Sequence, residues 1–194
     1  MTEIVYAPKW YYSKGVTNDE YSVKLYHSKK ENKTTYFGSY LRNLIDALRK
    51  YQIVNFNDVD LITIIPSHEP EKFSITLDRL GAFLSILIDS KYEKIFSRTK
   101  NTQPTGKRCQ DAEERYNNVC GSLTLTRQLH ENKIVIFDDI KTTGIHILET
   151  KKILFEAGAI ETISICLGIN ASEIMEIETM VTPREGGGIW IQQS

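Results

Sequence analysis

Apolar positions in this chain keep two periods, and the two alternate from about residue 60 onward. Leu61, Ile62, Ile64 and Ile65 form a compact run closed by Pro66, and Ile134, Val135, Ile136 and Phe137 form an unbroken one. Short runs rich in β-branched residues predict strands buried on both faces of a parallel sheet, here over 61–65 and 133–137. Around them the period lengthens to that of a helix. Leu41, Leu44, Ile45 and Leu48 follow Ser39 as a candidate cap, and Leu77, Leu80, Leu84, Leu87 and Ile88 make one stripe over 76–89. A further helix is predicted over 145–157 with Gly158 as its stop, a weaker strand over 92–96 and another strand over 161–167. Strands separated by helices predict α/β architecture: an open, mostly parallel sheet with helices on both faces. The sequence holds no internal repeat and no low-complexity segment.

Composition narrows this picture without changing it. With 194 residues, 41% hydrophobic and 25% charged, the chain suits one substantial core, so we read 1–194 as a single domain. Within it, 1–58 is a variable amino-terminal region, 59–170 the core and 171–194 a carboxy-terminal extension. A net charge of −1 gives no global reason for duplex binding, so nucleic acid would need a local patch. No apolar run approaches the roughly 20 residues that cross a bilayer, and the first residues lack the basic start and apolar core of a signal segment. A cytoplasmic location away from membranes is the expectation. Cys109, Cys120 and Cys166 have no C-x-x-C spacing, which argues against structural zinc and fits reduced thiols.

The candidate chemistry follows the second strand. Asp138 and Asp139 fall at its carboxyl end, and Thr142, Thr143 and Gly144 lead straight into the 145–157 helix. In open α/β sheets ligands bind at that edge, and the first amides of a helix are unpaired and favour an anion. The acids can accept from the vicinal hydroxyls of a pentose, while the backbone donors and hydroxyls of 141–146 suit its 5′-phosphate. The plainer reading is a solvated strand end followed by a helix cap; Thr-Thr-Gly at this spacing favours the ligand site.

In this order and spacing the chain resembles the type I phosphoribosyltransferases, whose signature is an apolar strand, two acids and a Thr-Thr-Gly-like phosphate loop. More narrowly it is similar to their ComF-type branch, the amidophosphoribosyltransferase-like competence proteins. The residues that carry this likeness are Arg98, Thr102-Gln103, Arg115 with Asn118, Val119 and Gly121, the 138–144 segment, and Ala157-Gly158-Ala159. They run from about Asp60 to Asn170, and more faintly from Tyr21.

The resemblance implies binding of 5-phosphoribosyl-1-pyrophosphate with Mg²⁺ and transfer of the phosphoribosyl group to a nitrogen acceptor such as a nucleobase. Asp138 and Asp139 would hold the ribose hydroxyls and reach the metal indirectly, through water or the ribose. Lys141, Thr142, Thr143, Gly144, Ile145 and His146 would hold the 5′-phosphate. Ser67 and His68 would bind pyrophosphate, with Arg98 and Lys100 neutralising it as it leaves. The turn at Pro66-Ser67-His68 also reads as a plain surface turn. The acid-free stretch from Arg98 through Lys100 and Lys107 to Arg108 reads either as a cationic flap or as a solvated loop.

A hood over the core is implied for residues 1–58, which hold all of the ten tyrosines except Tyr92 and Tyr116. Tyr11, Tyr12 and Tyr26 are candidates to stack on a base, or such aromatics fill a small core. Two features depart from the family pattern. His146 stands where a phosphate-loop hydroxyl is expected, as a donor to phosphate or as a solvent-facing ring. The cysteine zinc module of the branch has no counterpart. The implied alternative is a non-catalytic sensor of the sugar pyrophosphate, or a partner protein in DNA uptake or processing; a homodimer fits either role. The sequence argues against a P-loop ATPase, since Gly106-Lys107 has Asn101 in place of the first glycine and Arg108 after it. A receiver domain needs more chain after Asp139 than is present.

Overall fold

The computed structural model describes residues 4–12, 19–31, 34–70, 72–102, 112–170 and 190–193. The two unbroken apolar runs become the centre of a sheet. β3 (Leu61–Ile64) pairs in parallel with β7 (Lys133–Lys141), and β7 with β8 (Glu161–Asn170). On the outer side of β3 lies β4 (Lys91–Tyr92), also parallel. Beyond β8 come β1 (Ile4–Ala7) and then β9 (Trp190–Gln193), so the order is β4-β3-β7-β8-β1-β9. β1 is parallel to β8 and β9 antiparallel to β1. β2 (Lys9–Tyr11) continues along β8 after Pro8, which has no amide to give to a ladder.

Alternation along the strands loads both faces with apolar side chains, as a parallel sheet covered on both sides requires. Ile62, Ile64, Val135, Phe137, Ile163, Ile165 and Leu167 face one cluster, covered by α1 (Glu20–Glu31), α2 (Thr35–Lys50) and α3 (Ile75–Ile88). Leu61, Ile134, Ile136 and Cys166 face the other, covered by α5 (Ile145–Glu156) and by a separate hairpin of β5 (Phe96–Arg98) and β6 (Leu123–Leu125). α4 (Ala112–Val119) precedes that hairpin's second strand. The expected α/β class, a mostly parallel sheet with helices on both faces, is the one observed.

Several boundaries differ from the expectation, each for a local reason. α2 starts before Ser39, whose hydroxyl bonds back to Tyr36 O at 3.0 Å inside the helix instead of capping it. The strand expected over 92–96 is two strands in two sheets, because the chain leaves β3's side after Tyr92 and pairs next with β6. β7 and β8 both outrun their apolar runs. The 1–58 region, expected as a hood, puts β1 and β2 into the central sheet and α1 and α2 onto its face. Its aromatics pack accordingly: Tyr21 is buried against Phe37 and Tyr40 and donates to Leu167 O at 2.5 Å. Tyr11 packs against the same core, the Tyr12 amide bonds Ser22 Oγ at 2.9 Å, and the Tyr26 ring lies edge-on to His27. Residues 103–111, including Gln103, Lys107, Arg108 and Cys109, and the 171–189 part of the extension lie outside the described residues.

At Gly81 a helix packs tightly onto the sheet. A Cβ there would sit 2.6 Å from the Tyr92 ring and 3.2 Å from Ile64 Cγ2. The ring has little room to yield, since the Tyr92 hydroxyl donates to Asp78 Oδ1 at 2.7 Å. Gly81→Val should therefore cost about 1–3 kcal/mol by overpacking. Urea unfolding monitored by circular dichroism will measure it, and a midpoint equal to wild type would refute the close packing.

Candidate functional site

The two central strands differ in length, and that difference makes the site. β3 accompanies β7 only to the Ile64↔Phe137 pair. β7 then runs on beside β8 through Asp138↔Cys166, Ile140↔Gly168 and Lys141↔Ile169. Beyond the end of β3, local carboxylates serve as acceptors: the Asp139 amide donates to Asp138 Oδ1 at 2.8 Å and the Ile140 amide to Asp139 Oδ1 at 2.6 Å. Both acids are half-buried and lie inside β7 beyond the end of β3, whereas the sequence places them just after a strand ending at 137. Lys141, expected within the phosphate loop, is instead the last residue of β7, with its side chain buried.

After Lys141 the chain turns through Thr142, Thr143 and Gly144 into α5. Gly144 sits at φ 76°, ψ −4°, a left-handed conformation that residues with a Cβ rarely adopt. With a glycine at the cap, no side chain is there to accept from the first amides. The Leu148 amide bonds Gly144 O at 2.9 Å, so those of Ile145, His146 and Ile147 precede the helix's own ladder. Ile147 is buried in the core and fixes the helix start against the sheet. Thr142, Thr143, Ile145 and His146 are half-buried. Donors and the positive end of the helix dipole thus meet two carboxylates across one short turn.

Arg98 occupies an unexpected position. Instead of facing solvent it is 5% exposed and spans three segments. Nε donates to Ser67 O, Nη2 to Pro66 O at 3.1 Å, and Nη1 to Ser122 Oγ at 2.7 Å. Nη2 also lies 3.3 Å from His146 Nδ1. Burial lowers its pKa to about 10, against the opposing charge of Asp138, and it stays cationic at neutral pH. The guanidinium expected to neutralise pyrophosphate is therefore bonded to the chain itself.

Ser67 is committed in the same way. Its amide and its hydroxyl both donate to Lys72 O, each at 2.8 Å, closing the 67–72 turn. His68 is half-buried; its ring lies 5.6 Å from that of His146 at 64°, and its Nδ1 is 3.2 Å from Thr102 Oγ1. Lys100 is exposed and bonds Cys120 O at 3.2 Å. The structure thus gathers His68, Arg98 and His146 beside Asp138 and Asp139, and leaves Lys100 at the 120 turn.

His146 is the partner of Arg98, not a solvent-facing ring. Burial first, then the charges of Arg98 and His68, depress its pKa to about 3, with Asp139 opposing. Its Nε2 is buried and has no hydrogen-bond partner among the described residues. Sequence reasoning missed Ser122 and Glu149. Glu149, buried on α5, accepts the Gly121 amide at 2.7 Å and holds the turn that carries Ser122. Nothing in the local sequence announces either role.

No protein-family model and no curated protein matches the sequence. Among solved structures it is similar to the allosteric regulatory enzyme of purine biosynthesis, at 19% identity over 66% of this chain and 25% of that one, with a TM-score of 0.40. It is also similar to a hypoxanthine phosphoribosyltransferase from Staphylococcus aureus, at 12% identity over 74% of this chain and 69% of that one, with a TM-score of 0.42. The chain spans about a quarter of the length of the first of these.

The His146 environment has a consequence for acid stability. An unfolded chain protonates this ring near pH 6.5, the folded one only near pH 3. The stabilising difference is present above pH 6.5 and is lost as pH falls through that window, by about 1.4 kcal/mol per pH unit from this group. His146→Gln should lose that component, so its stability should fall less than wild type between neutral pH and about pH 4.5. Urea titrations of both proteins at the two pH values test this; parallel losses would contradict the buried, neutral ring.

Proposed function

We propose that this protein binds 5-phosphoribosyl-1-pyrophosphate with Mg²⁺ and transfers the phosphoribosyl group to a nitrogen acceptor such as a nucleobase. The observation that supports this reading is the β7–α5 junction, where two half-buried acids, two threonines and a helix start capped by glycine occupy one segment, 138–146. Asp138 and Asp139 accept from the ribose hydroxyls. The amides and hydroxyls of residues 142–146 hold the 5′-phosphate.

Fit to Mg²⁺ rests on the donor set. Among the described residues no group of three or more His, Cys, Asp or Glu gathers as a metal site. Two adjacent carboxylates suit a hard cation that arrives on its substrate and keeps water and phosphate oxygens as its other ligands. When bound, the cation offsets charge on the departing pyrophosphate. In the transfer, the acceptor nitrogen's lone pair forms a bond to the anomeric carbon. The bond from that carbon to pyrophosphate breaks, pyrophosphate leaves with the electron pair, and the nitrogen gives up its proton. Carboxylates beside the ribose favour the positive charge that develops on the ring.

One observation favours a second reading, a non-catalytic sensor of the same ligand or a partner in DNA uptake or processing. The expected pyrophosphate groups, Ser67 and Arg98, already spend their donors on Lys72 O, Pro66 O, Ser67 O and Ser122 Oγ. Pyrophosphate release with Mg²⁺ and a panel of bases separates the two readings. Turnover supports the transferase, whereas ligand-dependent stabilisation without turnover supports the sensor.

Asp139→Asn should weaken Mg²⁺-dependent binding of the sugar pyrophosphate about ten- to a hundred-fold, the loss of one charge-assisted contact worth about 1.5–3 kcal/mol. Its melting temperature without ligand should stay near wild type. Calorimetric titration will decide, and an unchanged isotherm would remove Asp139 from the site.

A further inference from the structure

A helix that covers one face of a sheet is expected to turn polar residues outward. α2 obeys this: its exposed positions between Thr35 and Lys50 are all polar or charged. α3 does not. It buries Thr76, Leu77, Leu80, Gly81, Leu84 and Ile88, and the residues it exposes are Ile75, Arg79, Ala82 and Ile86. Three of these four are apolar, with Ile75 51% and Ile86 77% exposed. Their steps of four, three and four residues are those of a coiled-coil seam, which holds one narrow line of a helix against a partner helix.

The line is also symmetric about its midpoint, between Leu80 and Gly81. Two copies of α3 packed antiparallel about a two-fold axis put Ile75 opposite Ile86 and Arg79 opposite Ala82, and the reverse contacts follow by symmetry. The Arg79 stem then lies across the small Ala82 while its head group reaches the rim. One step beyond each end of the line, three residues before Ile75 and three after Ile86, stand Lys72 and Asp89, both exposed. In the antiparallel pair these opposite charges face each other, whereas a parallel pair would set like charge on like. Lys72 already holds Glu69 of its own chain, but at 65% and 62% exposure that pair is weak, and the ammonium keeps further donors.

We propose that the outer face of α3 is the surface on which a second copy of this chain docks, as an antiparallel two-fold helix pair. A helix of another protein would have no need of a line that matches its own reverse, and a membrane surface needs an apolar face broader than one residue. Helices of 14 residues make a small interface, so dimer and monomer exchange at micromolar concentration. The inference is independent of the proposed function.

Sedimentation equilibrium of the full chain should show this exchange. Ile86→Glu removes two symmetry-related apolar contacts and places a charge in each, and should weaken the dimer about a hundred-fold. Because Ile86 is exposed, the melting temperature of the monomeric variant should match that of monomeric wild type. Asp89→Asn suits the left-handed backbone at this position, φ 54°, and should weaken the dimer about threefold at low salt and less at high salt. Direction is read by mixing Ile75→Cys with Ile86→Cys under mild oxidation, with wild type as the control for its own cysteines. The mixture should form a disulfide-linked pair that neither variant forms alone. A chain that stays monomeric at every concentration overturns the proposal, as does a dimer indifferent to Ile86→Glu, which puts the contact elsewhere. Self-linking of either cysteine variant alone reveals a parallel pair and overturns the antiparallel one. A lower melting temperature for monomeric Ile86→Glu would mean that the chain's own residues cover the stripe, which also overturns it.

Discussion

A strand that outlasts its neighbour must find acceptors and donors elsewhere for the edge left behind. β7 does this beyond Phe137, where β3 has ended and β8 continues. Asp138 and Asp139 accept from the next two amides, so they supply local backbone partners as well as carrying charge to the sheet edge. The turn into α5 follows directly, and Gly144 allows it to be tight enough that the helix starts beside those acids. Had β3 kept pace with β7, the same residues would be a paired stretch of sheet with no open side. The whole site reading depends on this mismatch in strand length.

The legible parts of the fold were those where a single period is carried by aliphatic residues. β3, the first half of β7 and the stripe of α3 fall into that class, as does the stop at Gly158, which adopts φ 108°. α1 was not legible because its buried stripe is Tyr21, Ser22, Leu25 and Ser28, a helical spacing filled largely by side chains that also suit the surface. β1 and β2 were hidden by their shortness and by Pro8 between them. The split of 92–96 depends on which partner is nearest after Tyr92, and that is decided by the β5–β6 hairpin, not by the five residues themselves.

At the site, the acids, threonines and glycine were readable because one continuous segment supplies them all. The destination of Arg98 was not. A cation among Lys100, Lys107 and Arg108 reads as part of a solvated, positive stretch, and only tertiary structure brings Ser122, Pro66 and Ser67 around it. Burying a guanidinium costs its hydration, and here carbonyls and a hydroxyl replace the water. That exchange links the turn after β3, the hairpin and the first turn of α5 through one planar group, so a shift in any of them is felt by the other two.

The parallel pairing of β1 with β8 bears on how the chain is made. Val5 and Tyr6 lie beside Ser164 and Ile165, and β9 closes the outer side of β1. Translation delivers β1 well before its inner partner β8, with α1, α2, α3, α4 and α5 made between them. Until then the buried Val5, Tyr6 and Ala7 leave the ribosome as an apolar strand with neither edge satisfied. During that interval the nascent β1 segment is a natural substrate for chaperones, and its pairing with β8 is a late step in assembling the sheet.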